Sequence, residues 1–412
     1  MLIESIINKN NACMKKTHIT MKLLPILVAL LTCVNVNAYD IEVDNIYYDV
    51  NLDDMTASVT SGDNLYTGNI VIPSSIAYKG REFHVVSLTS ISFQNCSNLT
   101  SVTIREGIEK IEPVAFRNCI NLSKIVLPKT LKSLGSHVFW NCSSLETIDI
   151  PSGIKNIPQT CFYGCSSLKS VNIPESVTFI ESNAFTGCKS LKHVELPNSL
   201  IDINNWAFAK TGLMSINIPA SVIYISCDAF QNCSSLKNVF FNEGKEKMLI
   251  GPGTVNVLFG ESPLESLYLG RNLEVSPSQT NTSMNINTLT RITFGQIGTN
   301  YQDFTAAQKL EEVYCKFTDP SDVTVSFSNK TYLNATLFVP TGTKEKFEKA
   351  DGWKNFFSIQ EFDMDETAVK AIKQTNGIKQ HYNLDGKKLP YPNKGVNIIR
   401  SSNGETHKIL IK

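Results

Sequence analysis

Seven phenylalanines, Phe93, Phe116, Phe139, Phe162, Phe185, Phe208 and Phe230, recur at intervals of 23 residues with a last interval of 22, and each opens a similar phrase. The phrase is clearest in Phe162-Tyr-Gly-Cys165-Ser-Ser-Leu168-Lys-Ser-Val171-Asn-Ile173-Pro174, followed by Val177-x-x-Ile180 and Ala184 before Phe185. Other columns hold Cys96, Cys119, Cys142, Cys165 and Cys188; Leu99, Leu122, Leu145, Leu168 and Leu191; and Val102, Ile125, Ile148, Val171 and Val194. One turn of this length cannot bury its own apolar side, so neighbouring turns must complete the core. The chain is therefore read as a mainly β solenoid with turns of about 23 residues. After Phe208 the cysteine column carries Thr211 and one residue is missing before Leu213, yet Leu213-Met-Ser-Ile216-Asn-Ile218-Pro219 restores the phase. A lost cysteine with a shortened loop suits a residue that packs rather than reacts.

The flanks differ from the array. Residues 39–92 hold short alternating runs, Ile46-Tyr-Tyr-Asp-Val50, Ala57-Ser-Val59 and Asn69-Ile-Val-Ile-Pro73, broken by Ser61-Gly62-Asp63 and Lys79-Gly80. That pattern predicts hairpins sealing the first turn as an N-terminal β cap. Residues 93–243 are the regular repeats, and residues 244–362 hold weaker copies such as Leu264-x-x-Leu267-x-Leu269, Leu289-x-x-Ile292-x-Phe294, Leu310-x-x-Val313-x-Cys315 and Thr336-Leu-Phe-Val-Pro340. Thr343 before Lys344-Glu-Lys-Phe347-Glu-Lys-Ala350, with Gly352 after it, predicts a capping helix that closes the far end with Trp353, Phe356 and Phe357. Residues 363–412, with turn signals at Asn383–Gly386 and Asn403-Gly404, predict a small separate β tail.

Lys15, Lys16 and Lys22 precede the apolar run Leu23–Leu31, and Val36-Asn37-Ala38 suits a cleavage site, so residues 1–38 are expected to be an export signal removed after Ala38. Met14-Lys-Lys is the better opening for such a signal than Met1, and Cys33 offers a competing lipidation site. No later stretch approaches the roughly 20 apolar residues of a membrane-spanning helix. The formal charge is zero over all 412 residues. Loss of the first 38 removes four basic groups and one acidic group, leaving a mildly acidic product without the basic footprint of a nucleic-acid binder. Export permits disulfides, but repeated cysteines in one register point in parallel, a strand spacing apart, and are expected to stay reduced. Cys161 with Cys165, and Cys227 with Cys233, are the local pairs where a bridge stays open.

The phrase Ala-Phe-x-x-Cys-x-x-Leu-x-x-Val-x-Ile-Pro-x-x-Val-x-x-Ile resembles the BspA-like class of leucine-rich repeats, strongly over Phe93–Phe241 and weakly over Leu264–Phe357. Tyr382-Asn-Leu-Asp-Gly-Lys-Lys-Leu389 through Gly395-Val-Asn-Ile-Ile399 resembles the C-terminal β segments of exported proteins of Bacteroides-type anaerobes, some of which are sorting signals. The resemblance implies a secreted or surface-attached protein that binds extracellular matrix, host proteins or other cells, and it brings no catalytic residues with it; the expected location is secreted or at the cell surface, outer-membrane associated.

Nothing in the sequence argues for catalysis. Nucleophile elbows, zinc motifs, phosphate-cradling loops and calcium loops are missing. The five histidines after the signal, His84, His137, His193, His381 and His407, stand at least 26 residues apart, and Glu311-Glu312 and Asp53-Asp54 read as solvated faces. No enzyme, cofactor or metal is expected. Binding side chains must lie between the apolar anchors. On the first strand of each turn these are Lys124 and Val126, Thr147 and Asp149, Ser170 and Asn172, His193 and Glu195, and Ser215 and Asn217, with no charged stripe. Aromatics are more suggestive: Trp140 and Tyr163 share a register one turn apart, Phe179 and Tyr224 share another two turns apart, and Trp206 is nearby in sequence. These five are the candidate contacts for a protein or glycan, in an adhesin-like role. The alternatives are a structural or carbohydrate-handling accessory of the cell envelope and, more remotely, a hydrolase drawing residues from the irregular turns between Gly251 and Asn329. Each ring could equally lie over its own loop and shield the core.

Overall fold

The computed structural model describes residues 39–252, 257–275, 283–296, 303–321 and 323–364, and the backbone of strands Gln380–Tyr382, Lys388–Leu389, Gly395–Arg400 and Thr406–Ile411. The export signal with Ala38 and Cys33, the loop 276–282 and most of the tail lie outside the described residues.

Most turns contribute two short strands, each paired in parallel with its counterpart in the neighbouring turn. In the first sheet Gly68–Ile72, Leu99–Ile104, Lys124–Val126, Thr147–Asp149 and Ser170–Asn172 pair in order. After an interruption it resumes with Ser215–Ile218, Asn238–Phe241, Ser266–Leu269, Arg291–Phe294, Glu312–Cys315, Thr336–Pro340 and Ser358–Phe362. The second sheet carries Asn156–Ile157, Phe179–Ile180, Asp202–Ile203, Tyr224–Ser226, Met248–Gly251 and Leu273–Val275. Pairing joins residues one repeat apart, Thr147 with Ser170 and Ile148 with Val171. Sequence period and strand register are thus the same quantity.

The interruption corrects one expectation. His193 and Glu195 are not on a paired strand, and Val194 and Leu196 are only half-buried. The shortened loop follows at once: a Cβ at Gly212 would lie 2.1 Å from the Lys189 carbonyl oxygen, and Met214 N–H reaches back to the Lys192 carbonyl at 3.1 Å. The ladder of the first sheet is thus interrupted in the turn that precedes the shortened loop.

The loops between the sheets form a third hydrogen-bonded side. Asn95, Asn118, Asn141, Gly164, Gly187 and Asn232 all adopt φ between 58° and 79°, a left-handed region that asparagine and glycine tolerate best. Three N–H groups per loop donate to the next turn: His137, Phe139 and Asn141, for example, bond the carbonyls of Gln159, Cys161 and Tyr163 at 3.0, 2.9 and 2.7 Å. Repetition of that pattern holds β-branched Val114 and Thr160 at φ of 59° and 54°, a conformation such residues otherwise avoid.

Inside, the seven repeat phenylalanines form one file. Adjacent centroids are 4.8 to 5.6 Å apart and interplanar angles lie between 5° and 14°. At the N-terminal end Tyr66 continues the file, 4.4 Å from Phe93 and 5.7 Å from Tyr47. The Tyr66 hydroxyl donates to the Thr60 carbonyl and accepts from Tyr47 N–H, so the phenol is satisfied where the stack meets the first strands. At the other end Trp353 is fully buried among Phe294, Phe317, Phe327 and Phe347, and its Nε1–H donates to the Val323 carbonyl at 2.7 Å. Phe357 stands apart from this cluster with 80% exposure, against the expectation that it helps to close the end. The helix there is a single turn, Lys344–Phe347, and the Thr343 hydroxyl turns back to the Pro340 carbonyl instead of capping it. A second helix, Asn329–Asn334, does carry a capped N-terminus: Ser328 accepts from Thr331 N–H.

All nine described cysteines are buried, and none is in a disulfide. Cys119, Cys142, Cys165, Cys188 and Cys233 each direct Sγ to the phenylalanine carbonyl of an earlier turn, at 3.0 to 3.2 Å. Cys161 and Cys227 likewise form no bridge with Cys165 and Cys233. The column needs a small apolar group with one weak donor, which a thiol supplies. Thr211, the one exception, bonds the Phe208 carbonyl of its own turn through Oγ1.

Candidate functional site

The five aromatics singled out from the sequence fall in three places. Trp140 and Tyr163 are neighbours on the loop side, 6.2 Å apart with rings inclined at 49°. The Arg117 guanidinium lies 3.8 Å from the Trp140 ring and covers one indole face, while Tyr163 is 37% exposed. Phe179, 40% exposed, and Tyr224 lie on the second sheet with Asp202 between them in register, so a carboxylate divides the pair. Tyr224 is held down by the absence of a side chain opposite: a Cβ at Gly251 would come within 2.2 Å of its ring. Trp206, half-buried at φ 58°, lines a groove of about 490 Å³ with Gln231, Asn232, Val257, Gly260, Glu261 and Asn285.

A fourth aromatic group was missed. On the resumed part of the first sheet, Phe240, Tyr268, Thr293, Tyr314, Phe338 and Gln360 occupy one outward column, fixed by residue-to-residue pairing across all six strands. On the first five of these strands they alternate with fully buried anchors. Phe240 and Tyr268 are 6.4 Å apart; Tyr314 and Phe338 stack at 4.5 Å, and Phe362 packs edge-on against Tyr314 at 5.6 Å. Thr293 interrupts the rings and leaves a notch between Tyr268 and Tyr314. In the regular half of the sheet the same column holds Thr103, Val126, Asp149, Asn172 and Asn217. The signal was present in the weaker repeats: the residue between the second and third anchors of Leu264-x-x-Leu267-Tyr268-Leu269 and Leu310-x-x-Val313-Tyr314-Cys315.

One ion pair and one carboxylate-bound phenol flank this column. The Tyr268 hydroxyl donates to the Glu243 carboxylate, which also accepts from Gln296 N–H at 3.0 Å. Burial, and then that carboxylate, raise the Tyr268 phenol well above its ordinary value. Arg291 pairs with Glu312 through both Nε and Nη2. Its guanidinium is 6.0 Å from the Tyr314 ring, and Lys316 Nζ lies 5.0 Å from that of Tyr268.

Reactive chemistry finds no comparable support. Among the described residues no group of three or more histidine, cysteine or acidic side chains could hold a metal ion. Burial pushes the thiols up, Cys165 to about 12 and Cys96 to about 11, away from the nucleophilic thiolate. Burial, then the nearby Arg117 charge, lower the pKa of His137, whose ring is hydrogen-bonded to Thr160 at 2.9 Å. No helix among the described residues is long and apolar enough to cross a membrane.

No curated protein matches the chain in sequence. Among solved structures, a leucine-rich cell surface protein from Faecalibacterium prausnitzii A2-165 is similar at 21% identity and a TM-score of 0.46, covering 80% of this chain and 96% of its own. A leucine-rich repeat protein from Bacteroides ovatus matches at 19% identity and a TM-score of 0.36, over 79% of this chain and 100% of that one. The pneumococcal vaccine antigen PcpA matches at 17% identity and a TM-score of 0.38, over 78% and 98%. Residues 86–185 and 157–287 match the family model described as BspA type leucine rich repeat region, in 6 copies. Residues 86–287 are therefore a BspA-type leucine-rich repeat region.

Proposed function

We propose that this chain is an exported, surface-displayed protein that binds an extracellular protein or glycan through the outward side chains of its solenoid. In this reading residues 1–38 direct export and leave after Ala38, residues 39–92 seal the array, and residues 363–412 form a separate tail. One observation carries the binding role: the column Phe240, Tyr268, Tyr314 and Phe338 lines up large rings on a backbone whose own hydrogen bonds are spent within the sheet. Rigid aromatic side chains held at a surface supply contact area at small entropic cost. A second reading, a carbohydrate-handling accessory of the cell envelope, is favoured by the mixture of rings and paired polar groups around Thr293.

The test is a host-protein and glycan array probed with the chain lacking residues 1–38, followed by the variant Tyr268→Ala with Tyr314→Ala. Retention of at least one ligand, lost in that variant, is the expected result. Retention unaffected by it, but abolished by replacing Trp140 and Tyr163 with serine, would move the contact surface to the loop side. An array on which nothing is retained would overturn the binding role.

A further inference from the structure

The loop side of the solenoid carries one full charge that nothing offsets. Residues 90–98, 113–121, 136–144 and 159–167 are the loops of four successive turns; they contain no acidic residue, and their basic groups are Arg117 and His137. Burial and the Arg117 charge lower the pKa of His137, so near neutral pH Arg117 is the full charge of this face. The acidic residues flanking the loops are engaged elsewhere: Glu112 pairs with Lys110 at 2.6 Å, and Glu181 accepts from Gln159 N–H at 2.9 Å.

Arg117 is held in place but left without an acceptor. Its guanidinium lies 3.8 Å from the centre of the Trp140 ring, and Nε is enclosed there with no hydrogen-bond partner. Among the described residues none accepts from Nη1 or Nη2, and these two nitrogens, unlike Nε, are not enclosed. The contrast with other arginines is plain: Arg291 meets Glu312, and Arg271 meets three carbonyls.

We propose that Arg117, with Trp140 and Tyr163 beside it, is the docking point for a single aspartate or glutamate side chain of an extracellular protein. The proposed function supplies only the extracellular setting; the contacts lie on another face from the Phe240–Phe338 column, so either can fail alone. A guanidinium held flat against a ring presents its terminal N–H groups in one orientation, the arrangement that grips a carboxylate through two parallel hydrogen bonds. One cation matches one negative charge, whereas a sulfated or phosphorylated polymer needs a row of cations that these loops do not contain. The surroundings favour a protein over an acidic sugar. Arginine, tryptophan and tyrosine, the residue types that concentrate binding energy at protein interfaces, occupy this column in consecutive turns, and Ile91 and Ile120 are exposed on the first two loops. The nearby amides are spent on one another, Asn141 donating to Asn118 and Asn118 to Asn95, and the His137 ring is taken by Thr160. Little is left for the hydroxyls of a sugar, while an acidic residue set among apolar ones finds both a cation and apolar contact.

The experiment is selection of short random peptides displayed on phage against the immobilised full chain, with sialylated and uronate-containing glycans probed in parallel. The expected result is enrichment of peptides carrying one aspartate or glutamate between apolar residues, whose affinity falls about tenfold or more in Arg117→Gln. Changing the peptide's acid to its amide should cost as much on the unaltered chain and nothing further on Arg117→Gln, a coupling that a purely structural Arg117 would not show. Arg117→Lys, which keeps the charge without the paired donors, should recover only part of the affinity. Far-UV spectra of both variants should be unchanged, because the guanidinium makes no hydrogen bond within the fold. Absence of an acidic consensus, undiminished binding by Arg117→Gln, or retention of the acidic glycans without any peptide would overturn the proposal. Tyr268→Ala with Tyr314→Ala should leave peptide binding unchanged; loss in that variant would place the peptide on the aromatic column, removing the Arg117 site while the surface-binding role stands.

Discussion

Truncation of Phe162 to alanine measures what the aromatic file contributes. The ring is fully buried, 5.4 Å from Phe139 and 5.2 Å from Phe185, and parallel to both within 12° and 8°. Its backbone does separate work: N–H donates to the Ala184 carbonyl at 2.8 Å, and its carbonyl accepts from Cys188 Sγ at 3.2 Å. Alanine keeps both bonds, so the loss is confined to ring burial and the cavity left behind, about 3–5 kcal/mol for a phenylalanine whose surroundings cannot collapse. Collapse is restricted here because the neighbouring turns are tied to each other on three sides. The assay is urea denaturation followed by far-UV circular dichroism, with hydrogen exchange to locate the weakened turns, since repeat arrays need not unfold as one unit. A double-mutant cycle sharpens it. Phe162→Ala and Phe185→Ala share a ring contact and should couple by about 0.5–3 kcal/mol, whereas Phe116→Ala and Phe208→Ala, four turns apart, should add within about 0.5 kcal/mol. A loss for Phe162→Ala below about 1.5 kcal/mol, or equal coupling for near and distant pairs, would refute a nearest-neighbour file.

Other outcomes follow from the thiols and from Arg271. Burial raises Cys96 from 9.0 to about 11 and Cys165 to about 12, so the folded chain holds protons that the unfolded chain releases. That contribution is complete below pH 9 and is lost as pH rises toward 11 and 12, by about 1.4 kcal/mol per unit of raised pKa for each thiol. The urea midpoint should therefore fall between pH 7.5 and 10.5, and an unchanged midpoint would contradict it. A maleimide should leave the nine described cysteines unlabelled in the native chain and label them all in urea; rapid native labelling would show that the column is not closed. Arg271 is fully buried and donates to the carbonyls of Pro219, Ala220 and Glu246, so Arg271→Ala should cost about 3 kcal/mol and lower exchange protection around those residues. Unaltered protection would mean that water replaces the guanidinium without penalty.

The architecture was legible because a solenoid converts sequence interval into spatial neighbourhood: Phe162 stacks on Phe185 since one turn separates them, and no long-range folding decision intervenes. The same rule placed Trp140 beside Tyr163 and put Phe179 two strands from Tyr224. It could not show that Arg117 would lie over the indole, that Asp202 would divide the second pair, or that Trp206 would line a groove with Glu261 and Asn285. Those facts depend on side-chain directions, which the period leaves free.

What the sequence determined by itself is the set of columns: period and apolar spacing decide which residues face the core and which share a register, because each turn repeats one backbone path. What only the tertiary structure decided is the surface those columns present. The thiols found phenylalanine carbonyls from earlier turns, the first sheet is interrupted at His193, and Phe240, Tyr268, Tyr314 and Phe338 became one aromatic face when irregular turns paired in register. Contacts of that kind are set by distances of a few ångströms between side chains, and a one-dimensional pattern carries phase but not those distances.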